Sequence, residues 1–234
     1  MRLDTQFMLD SIPIILKALP VTAFISVFSM LLGGLLGLLI ALIRYYKIPV
    51  LDRLFRVYVS LIRGFPLMVQ LYLAYFGLPF YINMYCQSVG IDNLAKNIPP
   101  LAFAVFAFSV NTSAYVSEVF RSALDSLDKG QREACSSIGM TSFQTMAHIL
   151  LPQAMVAAIP NLVNLFLGNI KASTLAYMIS VHEMMGVAVV LANRAYNYLE
   201  IYIVTAVIYW LLCVLLERVF ARMEFRFSRY KVRV

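Results

Sequence analysis

The residues best suited to engage another molecule lie in a polar segment at 125–151, between two long apolar runs. The segment contains a glutamate followed by two small residues, then a glycine, and then two apolar residues and a proline. These are Glu133, Ala134, Cys135, Gly139, Ile149, Leu151 and Pro152. Acid–base and nucleophilic catalysis need matched groups within hydrogen-bond reach, and this pattern offers no such pair. We therefore interpret the segment as an ordered loop that a soluble partner can hold.

Capping signals predict that this loop is helical. A capping box places a short polar side chain three residues before a glutamine at a helix start, and two pairs fit it: Asp128 with Gln131, and Thr141 with Gln144. Gly139 lies between them and favours the left-handed turn that ends a helix. The sequence therefore predicts two short helices, at 129–138 and 142–151, that meet at Gly139.

Four residues give this predicted helix pair an apolar side: Ala134, Ile138, Phe143 and Met146. Such a side can pack against the protein's own helices, which makes the loop a connector, or it can receive a partner. The pattern alone leaves both interpretations open.

The composition identifies the chain as a membrane protein. Hydrophobic residues make up 62% of it and charged residues 13%, more apolar surface than a water-soluble domain of 234 residues can bury. A bilayer core requires about 20 apolar residues per helix, and five runs qualify, the last extended by Arg218 and Arg222: 21–43, 64–91, 98–117, 149–170 and 201–216. We predict an all-α integral membrane protein with five transmembrane helices in a single domain, 1–234.

The distribution of Lys and Arg predicts the orientation, because cytoplasmic loops carry an excess of cations. Fourteen cations fall on the side of the polar loop and four on the other, with Lys171 at the end of the fourth span. This places the N-terminus outside and the C-terminus in the cytoplasm, and it explains the formal charge of +7 without nucleic acid. Thiol probes at the native Cys135 and at a cysteine introduced at Asn93 would report the two sides.

The N-terminal stretch is not interpreted as a cleavable signal, since Asp4 and Asp10 interrupt it. Four apolar residues recur there at helical spacing and predict a helix lying on the outer membrane surface: Leu3, Phe7, Ile12 and Leu16.

Enzymatic and metal-binding signatures are missing from the sequence. There is no GxxxxGK[ST] phosphate loop for ATP. The two histidines, His148 and His182, do not form an HExxH motif, and the three cysteines lack metal-ligand spacing. We therefore predict that the chain is not an enzyme and that it binds no metal or cofactor of its own.

Polar residues within the apolar runs are the candidates for a substrate path, because such groups usually face a helix bundle or a wet cavity. The candidates are Asn161, Asn164, Lys171, Ser173, Thr174 and Glu118. Asn161, Asn164 and Lys171 share roughly one helix face; hydrogen bonds between helices are the alternative for the asparagines. Glu118 can pair with Lys171 or, locally, with Arg121. Gly33 and Gly37 form a GxxxG helix-packing motif.

The loop pattern resembles the EAA loop of permease subunits of ATP-binding-cassette importers. Further segments are similar to the polar amino acid uptake family, whose RGTPLLVQ, AYxxExxR and KDTSL segments correspond to 63–70, 114–121 and 171–175. The chain departs from the family at three positions, where Phe65 replaces Thr, Cys135 replaces Ala and Ala172 replaces Asp. The resemblance extends from Ile14 to about Arg222.

This resemblance implies a type I importer permease fold in the plasma membrane of a prokaryote, and transport of an amino acid. It implies two ATP-binding subunits that use the ATP and grip the loop, with Gln131 among its contact residues. It also implies an extracytoplasmic amino-acid-binding protein and a second permease subunit, identical or paralogous. A channel or an ion-coupled secondary transporter without an ATPase is the alternative, although five spans do not divide into two repeat halves.

Overall fold

The fold is built from helices that run back and forth across one bundle. The computed structural model describes residues 3–90 and 94–228, and within those ranges it contains helices and no strand. The helices are α1 Thr5–Leu16, α2 Leu19–Tyr45, α3 Leu51–Gly64, α4 Leu67–Val89, α5 Pro100–Asp125, α6 Lys129–Ser137, α7 Ser142–Ile179, α8 Met184–Ala195 and α9 Tyr198–Ser228.

Five of these helices are long and apolar enough to cross a bilayer, as predicted: α2, α4, α5, α7 and α9. The predicted run 98–117 stops early, because α5 continues for two more turns to Asp125. Charged residues such as Glu118 and Arg121 end a hydropathy run, yet they continue a helix when they pair with each other.

Helix α5 lies at the centre of the bundle and packs most closely on α2. The two helices run in the same direction, with Gly33 beside Ser109 and Gly37 beside Ser113. A Cβ atom on Gly33 would lie 2.6 Å from the Ser109 carbonyl oxygen, so only glycine permits this approach. The prediction of a GxxxG packing face is confirmed, and small residues rather than large apolar ones determine the helix spacing.

Apolar clusters fill the bundle on either side of this contact. Phe120, Met146 and Leu150 pack together at the end of the bundle that carries α6, called here the α6 side. Ile25, Phe108 and Ile179 pack together towards the opposite end, called the far side. Helix α7 runs antiparallel to α5 and contributes to both clusters.

Arg53, Arg56 and Arg63, three of the cations counted on the side of the polar loop, lie on a helix that the sequence did not predict. They belong to α3, which starts on the α6 side and packs through Val59 against Ile40 and Ala114. The Tyr58 hydroxyl donates to the Val110 carbonyl at 3.1 Å. Sequence reasoning missed α3 because four charges lie within its 14 residues and hide its apolar side.

The N-terminal stretch forms the predicted helix, α1. It packs on α8 and α9, with Ile15 fully buried and Phe7 and Ile12 partly buried against that cluster. Its Pro13 lies inside the helix and Asp4 caps its start by accepting from the Phe7 N–H at 3.0 Å.

The glycine contact gives a direct test of the packing. Gly37→Ala places a methyl group 2.6 Å from the Ser113 carbonyl oxygen, so α2 and α5 must separate at a cost of about 1–3 kcal/mol. Gly34→Ala is the matched control, since a Cβ there meets nothing within 4 Å. We expect the Gly37 variant to melt at a lower temperature than the Gly34 variant in size-exclusion thermal-stability assays in detergent. Equal melting temperatures would contradict the packing argument.

Candidate functional site

The first candidate site is the surface formed by α6 and the start of α7. Helix α6 ends in a Schellman motif, in which the Met140 N–H bonds the Cys135 carbonyl at 3.0 Å and the Gly139 N–H bonds the Ser136 carbonyl at 3.1 Å. Gly139 has φ +83°, the left-handed conformation predicted for it. This turn reverses the chain between the two helices and fixes their relative direction.

The two predicted capping boxes differ. At Thr141 both hydrogen bonds of the box are present: the Gln144 N–H donates to Thr141 Oγ1 and the Thr141 N–H donates to Gln144 Oε1. Asp128 caps α6 by accepting from the Gly130 N–H at 3.0 Å, but the box with Gln131 is incomplete, so that prediction is wrong in part. The Gln131 amide is occupied by a partner in another helix.

That partner is Gln153, which the sequence did not indicate. The two side-chain amides bond reciprocally, Gln131 Nε2 to Gln153 Oε1 at 3.0 Å and Gln153 Nε2 to Gln131 Oε1 at 2.8 Å. Tyr46 supplies another tie, since its hydroxyl donates to the Ser142 carbonyl at 3.2 Å. Partial burial raises the pKa of the Tyr46 phenol above its ordinary value. These bonds hold α6 and the start of α7 to the membrane helices.

The second predicted short helix, 142–151, is not a separate element. It begins at Ser142 as predicted, but it continues without interruption as α7, a helix of 38 residues that ends at Ile179. A π-helical turn over Thr145–Leu150 precedes Pro152, whose missing N–H leaves an α-helical bond unmade. The loop surface and the fourth span are therefore one continuous helix. Ile149, Leu151 and Pro152 lie at this junction, where they join the two.

The predicted apolar side of the loop divides into two. Of its four residues only Met146 is buried against the bundle, at 5% exposure, and Cys135, which was not part of that side, is buried there too at 7%. Ile138 and Phe143 point outward and are 78% and 77% exposed. Glu133, Ala134 and Gly139 are exposed beside them. We call Glu133, Ala134, Ile138, Gly139 and Phe143 the loop surface. It presents two large apolar side chains and an exposed carboxylate, on a support fixed by hydrogen bonds.

Glu118 is held in an ion-pair network close to this surface. Its carboxylate bonds both Arg44 from α2 and Arg121, and Arg121 in turn bonds Asp125 at 2.8 Å. The expectation that Glu118 can pair with Lys171 is wrong, while the local alternative with Arg121 is confirmed. Asn169 contacts Thr112, and from that contact Glu118 and Lys171 lie in opposite directions along antiparallel helices, about 12 Å apart.

The polar residues of α7 fall on two faces. Asn169 is buried and donates to Thr112 Oγ1 at 2.9 Å, so it joins α7 to α5. Ser173 and Thr174 bond backbone carbonyls of their own helix, Ile170 and Lys171 respectively. In contrast, three side chains share the exposed face of α7: Asn161, Asn164 and Lys171. Lys171 forms none of the ion pairs found among the described residues.

Helix α5 has a polar face of its own, which the sequence analysis recognised only at Glu118. Four residues recur at helical spacing along it: Asn111, Tyr115, Glu118 and Ser122. They are incompletely buried, while Thr112, Ser113 and Val116 on the remaining faces pack against neighbours. This face is bordered by α3 and α4 on one side and by α7 on the other. We call the resulting furrow the polar cleft. A hydropathy scan does not detect this polar face, because large apolar residues lie between its members in the sequence.

A buried carboxylate was also missed. Glu183 is 0% exposed. It caps α8 by accepting from the Gly186 N–H at 2.7 Å, and it accepts from the Tyr209 hydroxyl at 2.8 Å and from Thr22 at 3.4 Å. It thereby connects α8, α9 and α2 at the far side. The sequence carries no signal for this cap, because glutamate is not among the residues preferred at a helix N-cap.

Neither candidate surface carries grouped metal ligands. Among the described residues no three His, Cys, Asp or Glu side chains come together as a metal ion would require. Cys86, Cys135 and Cys213 are all buried and unbridged. The geometry supports a docking surface and a polar cleft, connected by one continuous helix.

Comparison with known proteins agrees with this arrangement. Residues 33–229 match the family described as the inner membrane component of binding-protein-dependent transport systems. A probable amino-acid permease protein of Bacillus subtilis, YxeN, is 39% identical over 91% of both chains. The L-cystine transport system permease protein TcyL of the same organism is 36% identical over 99% of this chain and 94% of its own.

A solved structure has the same fold. It is described as an amino acid ABC transporter with histidines, and it matches 97% of this chain and 100% of its own with a TM-score of 0.82 at 31% identity. These relatives favour an ATP-driven permease over the alternative of a channel or an ion-coupled transporter. The chain thus belongs to the family of binding-protein-dependent transport system inner membrane components, in which it is an amino acid ABC transporter permease subunit.

Proposed function

We propose that the loop surface is where an ATP-binding subunit docks, and that α7 carries the resulting movement into the membrane. The observation that carries the proposal is the exposure of Ile138 and Phe143, at 78% and 77%, on a support that is otherwise tied down. Large exposed apolar side chains, aromatic ones above all, are typical of the centre of a protein interface. The family supplies the kind of partner, because its transport systems use ATP-binding and substrate-binding proteins.

The continuity of α7 provides the coupling. When the docked ATPase moves the loop surface, the Gln131–Gln153 amide pair moves α6 with α7, and the 38-residue helix transmits the displacement to Asn164 and Lys171. ATP is bound and hydrolysed by the partner subunits, and this chain contributes the path and the mechanical link. No cofactor of its own enters this mechanism.

The path itself requires a second permease subunit. In one chain the polar cleft and the face carrying Asn161, Asn164 and Lys171 are open at the side, and polar side chains in hydrocarbon are costly. We infer that two permeases, identical or paralogous, pair across this opening and enclose the path. Two ATP-binding subunits then hold the two loop surfaces, and an extracytoplasmic binding protein delivers an amino acid at the far side.

The proposed orientation puts the α6 side in the cytoplasm and the far side outside. Cys135 is too buried to report on it, and Asn93 lies outside the described residues. The replacements are Ile138→Cys, since Ile138 is 78% exposed, and Asn97→Cys, since Asn97 is exposed in the connection between α4 and α5. In intact cells a membrane-impermeant thiol reagent is expected to label position 97 and to spare position 138.

Labelling of both positions after the membrane is opened serves as the control for accessibility. The three native cysteines are buried, so the parent chain gives a low background. Labelling of position 138 alone in intact cells would invert the topology.

Docking depends on the turn at Gly139. Gly139→Val forces a β-branched residue into a left-handed conformation, at a cost of about 1–2 kcal/mol or more, and so unwinds the Schellman turn. We expect this variant to assemble in the membrane but to lose the ATPase subunit during co-purification. No atom lies within 4 Å of a Cβ at this position, so the effect comes from backbone conformation alone.

Gly139→Asn is the matched control, because asparagine tolerates positive φ and fills the same open space. It should retain the ATPase. Phe143→Asp keeps the turn and alters only the surface, so it should also lose the ATPase. If the ATPase co-purifies with both Gly139→Val and Phe143→Asp as well as with the wild type, the loop surface is excluded as the docking site.

Lys171 tests the path. Lys171→Met removes the charge and keeps the length of the side chain, and since no described carboxylate pairs with it, the fold should remain stable. We expect normal ATPase assembly with uptake reduced about tenfold or more, the effect of losing one charged hydrogen bond. Lys171→Arg should retain most uptake. Normal uptake by the Met variant would show that Lys171 faces lipid or solvent and does not contact the substrate.

A further inference from the structure

Arg63 occupies an unusual place for a cation. It lies at the end of α3, with its guanidinium carbon 5.3 Å from the centre of the Tyr115 ring. Tyr115 belongs to the polar face of α5, so the guanidinium lies at the polar cleft. The contact also joins the two family-like segments 63–70 and 114–121, which are far apart in sequence.

The contact lies one helical turn before the Glu118–Arg44–Arg121 ion-pair network, within the apolar run 98–117. Helix α5 runs from Pro100 to Asp125, and Tyr115 is about 22 Å from its start and about 15 Å from its end at 1.5 Å per residue. A charged side chain beside an apolar span is costly, and it is found where it faces water or performs a function.

The backbone beside Arg63 is interrupted. Helix α3 ends at Gly64 and α4 begins at Leu67, because Phe65 is extended and Pro66 follows it. Gln70 repairs the break: its Nε2 donates to the Ile62 carbonyl at 2.8 Å and to the Phe65 carbonyl at 2.9 Å. Its Oε1 accepts from Asn111 at 3.3 Å. Helix breaks that free backbone and side-chain polar groups are a feature of substrate sites in transporters.

The electrostatics of the cleft leave this cation uncompensated. Within the described residues Arg63 takes part in none of the ion pairs. The one carboxylate on the polar face of α5, Glu118, is already shared by Arg44 and Arg121. The guanidinium lies over the Tyr115 ring, and no described hydrogen bond uses its N–H groups, which suit a planar anion.

We propose that Arg63, held over Tyr115, is the anchor for the carboxylate group of the transported amino acid in the polar cleft. The inference rests on the proposed function and adds the residue and the substrate group that it binds. Gln70 and Asn111 act as positioning residues, since they fix the break that aims Arg63 into the cleft.

Uptake by cells that carry the complete transporter first selects a transported probe from L-cystine and the standard L-amino acids. Transport of none of them contradicts the proposed function itself. Binding of the selected radiolabelled amino acid is then measured on the permease–ATPase complex in nanodiscs without the binding protein, so that the permease alone is the receptor. The carboxamide derivative of the same amino acid serves as competitor.

We expect Arg63→Gln to weaken binding about 10- to 100-fold, the loss of a hydrogen bond between charged groups. Arg63→Lys should fall between it and the wild type. Arg53→Gln is the matched control: Arg53 is an exposed cation of the same helix that forms none of the described ion pairs, and its variant should bind normally. The carboxamide should bind the wild-type complex as weakly as the amino acid binds the Arg63→Gln variant. Its affinity should be the same for the wild type and for that variant, because the carboxylate–guanidinium contact is already missing.

A purely structural role predicts another pattern, in which Arg63→Gln lowers the melting temperature and weakens the acid and the carboxamide alike. That pattern would overturn the proposal, as would unchanged binding by Arg63→Gln. Absence of binding to the wild-type complex, with uptake intact, would also overturn it, while the amino acid permease assignment would stand.

Discussion

The close contact of α2 with α5 is the constraint on which the rest of the bundle depends. Lipid provides no hydrophobic force between helices, so their association relies on tight packing and on buried hydrogen bonds. At Gly33 and Gly37 the two backbones approach until a Cβ would collide with a carbonyl oxygen. Helix α5 is thereby fixed, and its other faces hold α3 through Tyr58 and α7 through Asn169.

Rigidity and openness are distributed in a way that suits a coupled transporter. The loop surface is supported by a Schellman turn, a complete capping box and an amide pair, and its supporting helix continues into the membrane as α7. The polar cleft, in contrast, is lined by side chains with few partners in this chain. A movement of the loop surface is therefore transmitted through α7, without an intervening loop, to the side chains that line the polar cleft.

Charges within the bundle fall into two groups with different consequences. Glu118, Arg44 and Arg121 satisfy one another and connect α2 to α5, and Glu183 satisfies hydrogen-bond donors from three helices. Arg63 and Lys171 lack such described partners. In a medium of low polarity a compensated charge is a structural tie, while an uncompensated charge requires water or a ligand.

The sequence by itself determined the membrane class, the five spans, the cap at Thr141 and the left-handed turn at Gly139, because hydropathy runs and helix caps depend on residues close in the chain. Its order of motifs also resembled the family that the comparisons established. It did not determine that 142–151 continues into α7, that Glu118 pairs with Arg44, or that Gln131 bonds Gln153. It also missed α3, the helix that carries Arg63. Those outcomes depend on which distant helices touch, and only tertiary packing decides where a cation finds a carboxylate, a ring or an open cleft.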